Sequence, residues 1–337
     1  MHFLKNHKSI NNNILNNENA RNEKMKRKIR TLSGTTNPQI TEREIENRKI
    51  ARKSAAEGIV LMKNDGVLPL EKNSSVALFG IGAAHTIKGG TGSGDVNERE
   101  VVSIYQGMLN AGFDIVNKEW VEDAKVQYDQ SRIAWRDKIL AEVAANEALK
   151  FFEVYANNAY QTPEGMPIEA SMFNGAVTSI YVISRVAGEG ADRFDKAGDY
   201  YLTEREKEDL QILSENSLQV IVIINAGGQM DLKDILSVKN VKAILNISQP
   251  GMEGGNAVAD VLCGAVTPSG KLTHTWAKNY EDFPNAETFS HNNGNVETEF
   301  YEESIYVGYR YFDSFGVEVE YPFGMDFPIP VLISVKE

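Results

Sequence analysis

The chain has 337 residues, a length that fits one large domain or two small ones. Hydrophobic residues make up 42% and charged residues 24%, which is the ordinary balance of a globular protein able to bury a substantial core. The net charge of −12 disfavours nucleic acid and anionic membrane as partners, because both repel a polyanion, whereas a neutral ligand such as a sugar is compatible with it.

The N-terminal residues 1–38 are polar and rich in Asn, Lys and Arg, without the apolar run of a secretory signal. Such a composition buries too little apolar surface to offset the entropy of ordering, so we expect a disordered tail over 1–38 and a folded domain over 39–337. The single cysteine, Cys263, excludes an intramolecular disulfide. With no apolar run of ~18 residues either, these features predict a cytoplasmic protein.

Helical and strand patterns alternate through the rest of the chain. Thr41 has the N-cap pattern of a helix that we expect to run to about Asn64. Its apolar face is marked by Ile45, Ile50, Ala55, Ile59 and Met62. Short apolar runs, typical of strands buried on both faces, begin at Val76, Ser179, Val220 and Val241. Helical patterns cover 103–111, 203–217 and 254–262. The alternation predicts an α/β fold with a mostly parallel, doubly wound sheet.

Two stretches depart from this alternation. Residues 120–156 are long, charged and helical in period, which indicates a helical insertion in the domain. Residues 297–327 are aromatic and punctuated by glycine, and we expect this closing segment to be more loop than regular element.

A glycine-rich loop follows the first buried run, with the sequence Lys88-Gly-Gly-Thr-Gly-Ser-Gly-Asp95. Its glycines leave the backbone free to approach a ligand closely. A P-loop would end in Gly-Lys-Ser/Thr, whereas here Lys88 comes first, and His85 stands where the dinucleotide fingerprint needs its third glycine. Three interpretations stay open: a structural loop, a sugar-site loop and, least favoured, a phosphate site.

A charged loop follows the second buried run, with the sequence Arg185-Val-Ala-Gly-Glu-Gly-Ala-Asp-Arg193. Open α/β sheets bind ligands at the carboxyl ends of their parallel strands, which is where this loop falls. Glu189, between two glycines, can project into a cleft, and the alternative is an ordinary charged turn. We expect Arg185 and Arg193 to turn away from Glu189, toward Asp192 or Asp195.

Other site chemistries find little support. The five histidines are scattered without metal-ligand spacing, so no metal site and no cofactor are expected. The chain has no Gly-x-Ser-x-Gly elbow, and its lone cysteine has no histidine placed to activate it.

Taken in order, long segments of the chain resemble glycoside hydrolase family 3, the β-glucosidase type. Segment 55–70 looks like the opening of the family's α/β-sandwich domain, and the loop 88–95 is similar to its glycine loop. Segments 250–264 and 268–272 look like its late helix and following strand, and 301–313 with 321–324 like its closing signature. The resemblance covers about 41–327.

This resemblance implies a six-stranded, mostly parallel α/β sandwich and a retaining glycosidase mechanism. The family places the nucleophilic aspartate on a (β/α)8 barrel and the acid/base glutamate on the sandwich domain, where Glu189 matches it. The resemblance also implies that Lys88, Gly90, Asp95, Asp192 and Arg193 border the sugar subsites. The implied substrate is a β-glucoside or oligosaccharide.

The chain departs from the family in two respects. Its closing segment 324–330 differs from the usual Gly-Tyr-Gly-Leu-Ser-Tyr pattern, and it shows no Ser-Asp-Trp nucleophile motif and no eightfold βα pattern. We therefore expect a barrel domain as a partner, in cis or in trans, and a chain that is inactive without it, from a member that carries the sandwich first. Two other interpretations remain: a non-catalytic module that binds carbohydrate or protein, and a nucleotide-binding α/β protein that rests on the glycine loop alone.

Overall fold

The computed structural model describes residues 38–91, 94, 96, 98–145, 150–158, 160–187, 193–289, 297–298 and 300–325. The tail predicted over 1–38 therefore lies outside the described residues, except for Pro38. Contacts within the chain divide it into two compact units, residues 1–47 with 96–99, and residues 48–95 with 100–337. In the first unit, Thr41 caps the first helix by accepting from the backbone N–H of Glu44, whose carboxylate pairs with Arg99 at 2.6 Å.

The second unit contains a six-stranded sheet. Its strands are β1 (Val60–Asn64), β2 (Ser75–Phe79), β3 (Asp114–Ile115), β4 (Thr178–Arg185), β5 (Gln219–Ala226) and β6 (Val241–Asn246). Their order is β1-β6-β5-β4-β2-β3, and all neighbours pair in parallel except β1, which is antiparallel to β6. The predicted α/β fold with a mostly parallel sheet is confirmed.

The helices are α1 (Glu42–Gly58), α2 (Ile81–Ala84), α3 (Ile104–Asn110), α4 (Lys118–Ala145), α5 (Phe151–Asn157), α6 (Glu204–Asn216), α7 (Lys233–Ser237), α8 (Gly254–Leu262) and α9 (Tyr309–Phe315). Short 3-10 turns cover Ala170–Phe173 and Tyr280–Asp282. A separate antiparallel pair joins β7 (Trp276–Ala277) to β8 (Val319–Tyr321). Within the described part of the chain, no helix combines the length and the apolar character needed to cross a bilayer.

The central strands are buried on both faces, which explains why they read as continuous apolar runs. Residues 220–224 of β5 are all completely buried. β-Branched Val and Ile side chains fit a pleated surface covered on both sides, and the helices that connect parallel strands provide that cover.

The first helix ends earlier than the sequence predicts. It stops at Gly58, and the residues from Val60 to Asn64 form β1 instead of a last helical turn. The reason is tertiary: Val60 pairs with Asn246 on β6, which would otherwise be an open edge. Ile45 and Ile50, predicted on the apolar face of α1, are both exposed.

Helices α4 and α5 occupy the stretch predicted to be a helical insertion. Trp120 at the start of α4 is buried and meets Phe79 of β2 edge-on, with ring centroids 5.3 Å apart. The closing segment is more regular than predicted, because α9 and β8 lie within 297–327. Its anchor is Phe312, which is buried.

Helices α3 and α8 meet at two glycines. A Cβ atom on Gly107 would lie 2.0 Å from the carbonyl oxygen of Gly255, and a Cβ atom on Gly255 would lie 1.9 Å from the carbonyl oxygen of Ser103. The opposing groups are backbone atoms, which cannot rotate away, so only glycine allows this approach.

We predict that Gly107→Ala lowers the free energy of unfolding by about 2–3 kcal/mol, because the added methyl group forces the two helices apart. Gly58→Ala is the matched control, since a Cβ atom there meets nothing within 4 Å. Urea denaturation of both variants measures the difference. Equal stability of the two variants would contradict the close approach of α3 and α8.

Candidate functional site

The loops of interest all follow the carboxyl ends of parallel strands, and we call this end of the sheet its carboxyl edge. From β2 the chain continues to β3 on one side, whereas from β4 it continues to β5 on the other side, so the order of the strands switches between the parallel neighbours β2 and β4. In open α/β sheets, ligands bind outside the carboxyl ends of the strands at such a switch point. The described residues that follow the strands at this end are 80–91 after β2, 186–187 after β4, 227–232 after β5 and 247–253 after β6.

The turn that follows β2 lies tightly against β4. Gly80 has φ = 88°, and a Cβ atom there would lie 2.3 Å from the carbonyl oxygen of Val182. A Cβ atom on Gly82 would lie 1.9 Å from Oγ of Ser184. These two glycines therefore allow α2 to begin directly on the neighbouring strand, which sets where the glycine-rich loop begins.

Asn225, the second-last residue of β5, joins two of these loops. Its side chain is completely buried. Oδ1 accepts from the backbone N–H of Ile87 at 2.7 Å, and Nδ2 donates to the carbonyl oxygens of Ile87 at 2.9 Å and Ser248 at 2.7 Å. One amide thus satisfies three backbone groups that would otherwise be buried without a partner.

Two further contacts join the same loops. The backbone N–H of Gly251 donates to the carbonyl oxygen of Lys88 at 2.8 Å. Nε2 of Gln249 donates to the carbonyl oxygen of Ala187, just before the segment that carries Glu189, at 2.9 Å. The loops after β2, β4 and β6 are therefore held as one unit.

Two arginines hold the ends of the charged loop. Arg185 donates to both carboxylate oxygens of Glu206 on α6, at 2.7 and 2.6 Å, and to the carbonyl oxygens of Ser184, Asp199 and Tyr201. Its side chain is buried. Such a bidentate pair is strong and fixes geometry.

Arg193, at the other end of the loop, uses all three of its guanidinium nitrogens. Nε donates to Oδ1 of Asp199 at 2.6 Å, Nη2 to the carbonyl oxygen of Asp199 at 2.7 Å, and Nη1 to that of Gln229 at 2.6 Å. Both arginines were expected to turn toward Asp192 or Asp195. Their partners are instead Asp199 and Glu206, because the chain from 199 to 206 packs directly against the end of β4.

The remaining predicted site residues divide into two groups. Lys88 and Gly90 lie half-buried in the glycine-rich loop, and the carbonyl oxygen of Lys88 accepts from the backbone N–H of Gly251. Glu189, Asp95 and Asp192 lie outside the described residues, so their predicted roles stay predictions. The loop after β6 contacts both Lys88, through Gly251, and the first end of the charged loop, through Gln249 and Ala187. The other end, at Arg193, is bonded instead to Gln229 in the loop after β5.

His85 lies next to the glycine-rich loop and stacks on Tyr128 of α4, with ring centroids 3.7 Å apart. Burial lowers the pKa of His85 to about 4, and the nearby Asp129 opposes this shift only in part. At neutral pH the imidazole is therefore uncharged, and it serves as an aromatic contact between the loop after β2 and the helical insertion.

Several residues that organise this edge were missed from the sequence. Asn225, Asp199, Glu206 and Gln249 carry no motif. One signal was available for Asn225, since a polar residue that ends a run of five β-branched apolar residues in a buried strand needs partners. The partners themselves come from loops far apart in the chain, which no local pattern encodes.

Other kinds of site are not apparent in the described residues. Within the ranges given above, no three His, Cys, Asp or Glu side chains come together as a group that could hold a metal ion. A groove beside β3 is lined by Ser75, Asp114, Trp120 and Asn174, but by none of the residues that follow β4, β5 or β6.

We predict that Asn225→Ala speeds amide hydrogen exchange at Ile87, since it removes the acceptor of that N–H and leaves three buried groups unpaired. The substitution should lower the free energy of unfolding by about 2–4 kcal/mol. The matched control is Asn117→Ala, because Asn117 is also buried and bonds the backbone N–H and C=O of Leu78, both at 2.8 Å.

Exchange mass spectrometry of both variants checks this prediction. The Asn117→Ala variant should affect Leu78 and leave the loops after β2 and β6 unchanged. If both variants alter those loops to the same extent, Asn225 has no special role in joining them.

We also predict that His85→Phe changes how stability depends on pH. The folded His85 has a pKa of about 4 and the unfolded one about 6.5, so between these values only the unfolded chain binds the proton. The wild type therefore loses stability as pH falls from 6.5 to 4, by about 3 kcal/mol from this residue. The Phe variant keeps the stacking on Tyr128 and lacks this loss, as urea denaturation across pH should show. Parallel pH profiles would contradict the neutral, buried histidine.

Comparison with known proteins supplies the family. Residues 59–309 match the model of the glycosyl hydrolase family 3 C-terminal domain. The chain is 36% identical over 305 residues to β-glucosidase A of Butyrivibrio fibrisolvens, a match that covers 82% of this chain and 34% of that protein. It is 36% identical over 275 residues to a β-glucosidase of Ruminococcus albus, covering 80% of this chain and 27% of that protein. The chain thus spans about a third or less of the length of these relatives.

Solved structures agree in sequence and in fold. β-Glucosidase 3B of Thermotoga neapolitana, in complex with glycerol, is 33% identical, with a TM-score of 0.69 over 89% of this chain and 40% of that one. A β-glucosidase of Paenibacillus barengoltzii is 32% identical, with a TM-score of 0.68 over 83% of this chain and 29% of that one. The resemblance seen in the ordered motifs is confirmed, and the chain belongs to glycosyl hydrolase family 3, as its C-terminal α/β domain.

Proposed function

We propose that this chain is the α/β part of a retaining, β-glucosidase-like glycoside hydrolase in which Glu189 is the general acid/base. The observation that carries the proposal is the position of the residues on either side of Glu189 in the sequence. Arg185 ends β4 in a family 3 domain and pairs with Glu206, and Arg193 pairs with Asp199. The relatives that share this domain are β-glucosidases, and that supports the reaction type.

The chemistry needs two carboxyl groups about 5–5.5 Å apart. One attacks the anomeric carbon and forms a glycosyl intermediate. The other, here Glu189, gives its proton to the leaving oxygen and then takes a proton from the water that releases the sugar. Glu189 must therefore hold a proton before the first step.

The charges around the loop are compatible with that requirement. A free arginine beside Glu189 would favour the carboxylate and lower its pKa. Both arginines are instead paired within the protein, Arg185 with Glu206 and Arg193 with Asp199. Their positive charge is largely compensated, so the anionic nucleophile of the completed site can raise the pKa of Glu189.

The sugar-binding part of the proposal assigns Lys88, Gly90, Asp95, Asp192 and Arg193 to the border of the substrate. Lys88 and Gly90 lie in the loop that the amide of Asn225 holds against the end of β5. For Arg193, the three bonds to Asp199 and Gln229 favour holding the loop over direct contact with the sugar. The substrate class is a β-glucoside or oligosaccharide, and the nucleophile comes from a barrel domain in cis or in trans. A cytoplasmic location completes the proposal, on the basis of composition alone.

We predict negligible hydrolysis of an aryl β-glucoside by the purified chain, since it supplies one of two carboxylates. Addition of the part of B. fibrisolvens β-glucosidase A that this chain does not match should restore turnover. In that mixture Glu189→Ala should lower turnover at least ~100-fold, and azide should partly restore it, because a small anion can attack the intermediate without a general base. Glu204→Ala is the control, since Glu204 is an exposed glutamate on α6.

Two results would overturn the proposal. Robust hydrolysis by the isolated chain would show that the nucleophile is not supplied elsewhere. A Glu189→Ala mixture as active as the wild-type mixture would remove Glu189 from its role. Calorimetric binding of glucose or cello-oligosaccharides by the chain, with no turnover in any mixture, would favour a non-catalytic carbohydrate-binding module.

A further inference from the structure

An apolar surface covers the last part of the described chain. We call it the closing patch, and it consists of large hydrophobic side chains that are 38–84% exposed: Phe300, Tyr301, Ile305, Tyr306, Val307, Tyr309, Phe315 and Phe323. Of the described residues from 300 to 325, only Phe312 is buried. So many exposed apolar side chains in so short a stretch are typical of an interaction site.

The closing patch is preformed. Tyr306 packs on Phe315 with ring centroids 4.9 Å apart, and Tyr309 stacks on Phe323 at 4.9 Å. Helix α9 carries Tyr309 and Phe315, and β8 is paired with β7. Rings that are already held in place lose little entropy on binding, so they make effective anchors for a partner.

The closing patch is continuous with the candidate site. Asp199, which anchors Arg193, is followed by Tyr200, whose ring lies 5.3 Å from that of Tyr280. Tyr280 contacts Phe283 at 6.2 Å, and Phe283 contacts Phe312 at 5.8 Å, edge-on in both cases. An unbroken row of rings therefore leads from the charged loop to the anchor of the patch.

We propose that the closing patch binds the nucleophile-bearing domain that completes the site, an inference that rests on the proposed function. That domain must bring its carboxylate within about 5–5.5 Å of the acid/base, so it has to cover the carboxyl edge of the sheet. The match covers only 34% and 27% of the length of the two relatives, so most of each relative lies beyond the part matched here. A domain of that size that covers the carboxyl edge of the sheet would also contact the adjoining closing patch.

The charges around the patch favour such a partner over a second copy of this chain. Residues 300–325 contain one arginine, Arg310, and five carboxylates, of which Glu318 is paired with Lys278 at 2.6 Å. The other four are Glu302, Glu303, Asp313 and Glu320. Two copies would bring like charges together, which costs free energy at an interface. The expected partner surface is apolar at its centre and basic at its rim.

Sedimentation velocity can test this with the purified chain and the part of B. fibrisolvens β-glucosidase A that it does not match. We expect a one-to-one complex that Tyr301→Ser and Phe315→Ser each weaken at least ~10-fold, as loss of a central aromatic anchor does. Leu218→Ser is the matched control, because Leu218 is 74% exposed and precedes β5 at the opposite end of the strands. Tyr301→Ser and Leu218→Ser, at side chains that are 84% and 74% exposed, should unfold at the same urea concentration as the wild type. Phe315→Ser also loses its packing on Tyr306 and should unfold at a slightly lower urea concentration.

Each other outcome counts against the closing patch. No complex, a complex that Leu218→Ser weakens as much as Phe315→Ser does, or self-association of the chain through Phe315 would overturn the inference. Sedimentation tests the interface, whereas turnover tests the proposed function, so the two can fail independently. A patch-dependent complex without Glu189-dependent hydrolysis would keep the interface and reject the reaction, whereas hydrolysis in a patch-independent complex would do the reverse.

Discussion

The hydrogen bonds of the Asn225 side chain hold together the edge of the sheet on which the candidate site is built. One buried amide spans the loops after β2 and β6, which are far apart in the chain, and Gln249 extends the connection to the loop after β4. A buried polar group of this kind stabilises only when all its partners are in place, so it specifies one arrangement of the loops. The geometry of the site therefore depends on a residue that takes no part in the proposed chemistry.

Arg185 and Arg193 fix the chain on either side of Glu189, in addition to the contacts of Asn225. In the proposed mechanism the acid/base is Glu189, which stands between two glycines in the sequence. Glycine neighbours give a side chain freedom to enter a cleft, but they also make its placement less precise. Arg185 and Arg193 limit this loss of precision, because they fix the residues before and after the loop to Glu206 and Asp199. The positive charges of both arginines are compensated by these carboxylates within the domain. In the proposed mechanism, the charge that acts on Glu189 therefore comes mainly from the partner domain.

The sequence predicted the class of fold, the four central strands and the late helices, since their apolar periodicity is local. It mistook β1 for the end of a helix, because Val60 becomes a strand only through its pairing with Asn246 on β6. Lys88 and Arg193 were singled out by ordered motifs that resemble a family, and their roles at the sugar subsites stay predictions. The contacts of Asn225, Asp199 and Gln249 could not be predicted, because each joins residues whose proximity exists only after the sheet has formed.

The side chain of Asn117 protects part of the outer edge of the sheet from pairing with other molecules. Strand β3 pairs with only the first residues of β2, so the outer edge of β2 continues beyond it. There Asn117 donates to and accepts from Leu78, in the way a neighbouring strand would. An open edge of this kind is a template for strands of other molecules, and edge-to-edge pairing is a common route to aggregation. Because one amide occupies both groups of Leu78, the sheet ends there without offering that residue to another chain.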